Sequence, residues 1–78
     1  MQHLFEDMRA FRDQRVENGF VVVHWHVHSA YLDEVKHAAH LAGELSDSEA
    51  MLLGAPYEAR DGGFEIDQLF TADTRAVA

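Results

Sequence analysis

The sequence predicts a small α+β domain: a three-stranded, at least partly antiparallel sheet with helices packed on one face, in the order α-β-α-α-β-β. Three observations carry this expectation. The run from Phe20 to His28 is rich in β-branched and aromatic residues and alternates with period 2, as a strand does. Apolar residues recur at helical spacing on both sides of it. Two short alternating runs then flank a glycine-rich turn.

The first helix is expected over residues 2–17. Leu4, Phe5, Met8, Phe11 and, less cleanly, Val16 form its apolar stripe, with Arg9, Arg12, Asp13 and Glu17 on the other side. Asn18 and Gly19 end it, one of them in the left-handed conformation. Asn-Gly before an alternating run is also a hairpin signal, so a strand over 11–17 is the competing reading. It leaves neither strand face apolar, and the helix is preferred.

In the strand, Val21, Val23, Trp25 and Val27 fall on one face, wholly apolar and in need of cover. Phe20, Val22, His24, His26 and His28 fall on the other. Ser29 is expected to cap a second helix, with Asp33 and Glu34 in its first turn, where the helix dipole favours acids. Leu32, Val35, Ala38, Ala39 and Ala42 form its buried stripe, and Gly43 stops it. Ser46 and Glu49 have the spacing of a capping box, which predicts a short helix carrying Met51, Leu52 and Leu53 up to Gly54. A hairpin is expected next, pairing 57–60 with 64–67 around Asp61, Gly62 and Gly63. Leu69 and Phe70 fold back onto the core, and residues 71–78 form a frayed tail. The whole, 1–78, reads as a single domain.

Composition narrows the function. With 78 residues and no cysteine, neither disulfides nor a thiolate zinc site is available to staple the fold. No apolar run is long enough to span a membrane. The stretch behind Met1, with Glu6 and Asp7, lacks the basic-then-apolar plan of a signal peptide, so a cytoplasmic protein is expected. The net charge is −8, and between Glu44 and Asp67 seven acids face Arg60 alone. Such a chain is repelled by nucleic acid and anionic membranes and attracted to a basic protein surface.

No catalytic constellation stands out. Ser29 follows His28 directly, but neighbours on a strand point to opposite faces. No carboxylate pair sits in an apolar setting that would raise a pKa, and no enzyme activity or cofactor is expected. The leading expectation is therefore an acidic, non-enzymatic interaction protein. Its partner-binding residues would be Glu44, Asp47, Glu49, Glu58, Asp61, Glu65 and Asp67, displayed along one side against the basic nucleic-acid-binding surface of a larger partner that it inhibits. In size and charge alone the chain is similar to phage-encoded inhibitors of defence systems.

Two alternatives stand beside this. His24, His26 and His28 lie on one strand face, and two imidazoles two residues apart can lean onto one zinc, nickel or copper ion. Asp33, His37, His40 and Glu44 form a second stripe on the outer side of the second helix, away from the strand histidines. The other alternative is a homodimer that covers its open sheet face with a second copy of itself.

Overall fold

A computed structural model describes residues 3–66 and 68–77. The elements are α1 (Leu4–Glu17), β1 (Phe20–His28), α2 (Leu32–Leu41), β2 (Tyr57–Arg60) and β3 (Phe70–Ala76). The sheet is mixed, with order β2-β1-β3. β1 pairs parallel with β2 and antiparallel with β3. The α+β class and the three-stranded sheet are as the sequence predicts. Among the described residues no helix is long and apolar enough to cross a membrane.

Trp25 and Val27 of β1 are completely buried and form the centre of the core. Leu4, Phe5 and Met8 of α1 and Val35 and Ala39 of α2 close over them. Phe11 of α1 and Phe70 of β3 pack edge-on to each other and against the Trp25 indole, with ring centroids 5.7–6.0 Å apart. Edge-to-face contact of this kind adds to the gain from area burial. Helix 4–17 therefore wins over the strand alternative for 11–17. Gly19, at φ 85°, turns the chain from α1 into β1. Val16, at the end of the expected stripe, is 56% exposed.

The expected faces of β1 hold only beyond Val23. The antiparallel register runs Val22 to Thr74 and then His24 to Asp73, so Val23 is an extra, unpaired residue in a β-bulge. A one-residue offset exchanges the two faces of a strand. Val22 thus packs against the core while Val23 is 37% exposed.

Five other expectations are corrected. Ser29 does not cap α2. A 3-10 turn over Ser29–Tyr31 precedes the helix, and the Ser29 hydroxyl donates instead to Asp61. Ala42 lies exposed, beyond the buried stripe.

The capping box at Ser46 starts no helix. Ser46 Oγ accepts from Ala50 N (3.1 Å) and Met51 N (3.0 Å), and Glu49 is left-handed at φ 59°. The segment is a compact turn that plugs Leu52, Leu53 and Ala55 into the core, with short bridges from Leu52 to Leu45 and to Ala55.

The hairpin is absent. Arg60 Nε and Nη2 donate to the carbonyls of Gly62 and Gly63, both at 3.0 Å, and the guanidinium lies over the Phe64 ring. The turn is thereby bent around its own arginine rather than around a ladder. β2 pairs with β1 instead, reached by a helical crossover of the kind parallel strands require. The expected strand partner up to Asp67 includes a position outside the described residues.

Finally, residues 71–76 of the expected tail belong, with Phe70, to the edge strand β3, held by seven register pairs to β1. Phe70 and Ala72 face the core, which gives this end of the chain a reason to stay.

The turn after α2 is thus a core element. Leu52→Ala is expected to destabilise the fold by about 2–5 kcal/mol, as deletion of a fully buried leucine does. Leu41→Ala, at a residue 74% exposed, should stay within about 0.5 kcal/mol. Urea unfolding of both variants measures the difference.

Candidate functional site

Both helices cover the Trp25 face of the sheet, so the opposite face is open. His24 and His26 lie there with stacked rings, centroids 4.8 Å apart and planes at 24°. The bulge at Val23 sets His24 directly opposite Asp73 of β3, and β2 brings Glu58 opposite His26. His26 Nε2 is 3.1 Å from Asp73 Oδ2, and Nδ1 is 2.7 Å from Glu58 Oε1. The second contact is close but out of line, so the buried Nδ1 has no hydrogen-bond partner. The His26 side chain is only 13% exposed, against 52% for Glu58 and 64% for Asp73. One atom each from His24, His26 and Asp73 lie within 4.8 Å of one another.

His28 does not join this group. Its Nδ1 accepts the Ala30 N–H at 3.1 Å, its ring stacks on Phe64 at 5.8 Å, and Tyr31 meets it edge-on. A ring that accepts at Nδ1 carries its proton on Nε2. His28 therefore serves to fasten the start of the crossover and the loop after β2.

The expected acidic face is divided by the fold. Glu44 accepts from Arg12 Nη1 at 2.7 Å and ties α1 to the end of α2. Burial pulls the Arg12 guanidinium down, but the bonds to Glu44 and Asp13 more than offset this and hold it above its ordinary value. Glu49 pairs with Lys36 Nζ at 2.9 Å. The Lys36 ammonium is held above its ordinary value, first by the bond to Glu49 and then by the charges of Tyr57 and Glu49. Glu58 is at His26, and Asp61 accepts from Ser29. Four of the seven predicted contact residues thus hold other parts of the chain. Asp47 and Glu65 are exposed, and Asp67 lies outside the described residues. The described ones also lie apart: 44–49 precede β2 and 61–65 follow it, at opposite ends of that strand.

One part of the acidic segment does form a shaped surface. A groove of about 400 Å³ runs between α2 and the 45–49 turn. Asp33, Lys36, His37 and His40 line it from the helix, and Leu45, Ser46, Asp47 and Glu49 line it from the turn. The helix stripe expected from the sequence is present except for Glu44, because α2 ends at Leu41 and Gly43, at φ 73°, turns the chain away before it. Among the described residues the stripe makes no three-ligand group of its own.

Sequence reasoning found His24 and His26 but not Asp73, which stood in the expected tail. It placed Glu58 on a contact surface rather than beside His26. Comparisons with known protein families, with curated proteins and with solved structures find no match to this chain.

The Arg12–Glu44 pair is partly shielded, at 28% and 30% side-chain exposure. A double-mutant cycle with Arg12→Ala and Glu44→Ala is expected to give a coupling of about 0.5–1 kcal/mol at low salt. The coupling should shrink as salt is raised, since part of the pair meets solvent.

Proposed function

We propose that the protein is a small, non-enzymatic, cytoplasmic interaction protein that receives basic side chains of a larger partner in the groove between α2 and the 45–49 turn. Blocking a basic nucleic-acid-binding surface, and so inhibiting its owner, is the role this reading assigns to it. The observation that carries the reading is the lining of the groove. Asp33, Asp47 and Glu49 contribute three carboxylates, while the single lysine, Lys36, is already paired with Glu49. A lysine or arginine entering there meets Asp47, and also Asp33, which already feels the Lys36 ammonium. Leu45 supplies an apolar wall along which the stem of such a side chain can lie. The contact surface is thereby reduced from the seven acids expected along one side to those that border the groove.

The test is an NMR titration of the isotope-labelled protein with a short lysine- and arginine-rich peptide, with an acidic peptide of equal length as control. Shifts are expected to concentrate in residues 33–49 and to fade as salt is raised. Asp33→Asn together with Asp47→Asn should weaken binding about fivefold or more at low salt. Shifts spread evenly over Asp7, Glu17 and Glu65 would mean diffuse attraction to net charge and would end this reading.

A further inference from the structure

We infer that the open face of the sheet binds one borderline divalent metal ion, of the zinc, nickel or copper class, through His24, His26 and Asp73, with Glu58 orienting the His26 ring. The site lies across the core from the groove and is independent of the function proposed for it.

The donor set decides the class of ion. Two imidazoles and a carboxylate suit zinc, nickel and copper, whereas magnesium and calcium take oxygen donors. The backbone brings the set together by a specific irregularity. Were the register at Val22 and Thr74 continued without the bulge, Asp73 would stand opposite Val23 and His24 opposite Ala72. With it, His24 and Asp73 are cross-strand partners, and the next residue on the same face of β1 is His26. Bulges often serve to re-aim side chains beside functional sites.

The surroundings of His26 fit a ligand. Its Nε2 hydrogen-bonds to Asp73 Oδ2 at 3.1 Å, a bond that an incoming ion would replace, and its buried Nδ1 faces Glu58. A metal-bound histidine characteristically turns its other ring nitrogen to a carboxylate, which fixes the tautomer and the ring. A proton on Nδ1, aimed at Glu58 after a small rotation of that exposed side chain, leaves the Nε2 lone pair free for an ion. The alternative is an imidazolium held between two carboxylates, with no metal involved. That arrangement explains Glu58 and Asp73 but leaves His24 without a role. The two rings are stacked in the absence of an ion, and His24 must turn out of the stack for the in-plane lone pairs of both rings to converge on one metal.

The distances ask for little movement. A tetrahedral ion with bonds of about 2.0–2.1 Å sets its donors about 3.4 Å apart, so atoms now within 4.8 Å must close by up to about 1.4 Å. Asp73 is exposed and His24 half-buried, so both have room to turn toward a largely fixed His26. Three protein ligands leave the fourth position to water, as in zinc sites that are not purely structural. The surplus of carboxylates on the chain adds a general attraction for a cation.

Calorimetric titration of the untagged full chain with Zn²⁺, Ni²⁺ and Cu²⁺ tests this, with Mg²⁺ and Ca²⁺ as comparison ions. One ion of the first group per chain is expected, with Mg²⁺ and Ca²⁺ far weaker. His24→Ala and Asp73→Asn should each lower the affinity tenfold or more, and Glu58→Gln about 10–100-fold, the usual effect of losing such an orienting carboxylate. His28→Ala and the pair His37→Ala with His40→Ala should leave it unchanged. His24 and Asp73 are chosen because their loss leaves the core intact. Circular dichroism and thermal unfolding of each variant verify the fold. Binding that survives His24→Ala and Asp73→Asn, that disappears with the His37/His40 pair, or that is as tight for Mg²⁺ as for Zn²⁺ overturns the inference.

Discussion

The burial of Trp25 is the constraint on which the remaining structure depends. Among the described residues β1 is the only strand with a neighbour on each edge, and its indole-bearing face has to be removed from water. Each other element places a side chain against this face or the cluster around it. α1 brings Met8 and Phe11, α2 brings Val35 and Ala39, the turn after α2 brings Leu52, and β3 brings Phe70. Burying an indole removes roughly 150–250 Å² of mostly apolar surface, about 4–6 kcal/mol. The Trp25 Nε1–H has no partner among the described residues, which costs about 1–3 kcal/mol. The ring thus favours the folded state on balance, even with its one polar atom unsatisfied.

The bulge at Val23 links this core to the open face. Strand side chains alternate strictly, so one inserted residue moves the chain on one side of it to the opposite face. Before the bulge, Val22 turns inward and adds to the core. After it, Trp25 and Val27 point inward, and His24 and His26 outward beside Asp73. A regular strand would have had to choose between these. It would either bury Val22 and lose the apposition of His24 with Asp73, or keep the apposition and expose Val22. The price is one partly exposed valine, Val23 itself.

These features were legible in the sequence to different degrees. α1, β1 and α2 were, because each has many residues in phase: the apolar stripe from Leu4 to Phe11, the nine-residue alternation of β1, and Val35 with Ala39. The turn at 46–55 was misread because Ser46 and Glu49 satisfy a helix-start pattern by spacing alone. The left-handed backbone of Glu49 and Leu53 arises from packing Leu52 and Leu53 inward, which is a tertiary demand. The glycine pair at 62–63 suggested a hairpin, yet Arg60 captures its carbonyls. The strand-helix-strand order from β1 to β2 was itself the better signal for parallel pairing. β3 was missed because alanine, threonine and aspartate alternate too weakly to declare a strand. Its loss hid Asp73. Pairs such as Arg12 with Glu44, or His26 with Asp73, join residues far apart in the chain, and spacing carries no information about them.

The negative surface follows from the fold as well as from composition. The few cations are largely engaged in shaping the chain. Arg9 pairs with Glu6, Arg15 lies over the Phe11 ring, and Arg60 bends the loop after β2. Arg12 ties α1 to the end of α2, and Lys36 ties α2 to the turn that borders the groove. Arg9, Arg12 and Lys36 each cancel the charge of a neighbouring carboxylate, whereas Arg15 and Arg60 are held by a ring and by backbone carbonyls. The carboxylates are more than twice as numerous, fourteen against six, so many have no cation to meet. Local structure therefore uses the positive charge internally and leaves the negative charge outward. A small acidic chain can in this way remain well tied together, despite self-repulsion, and still present a net negative field, which the readings proposed for the groove and for the open face both require.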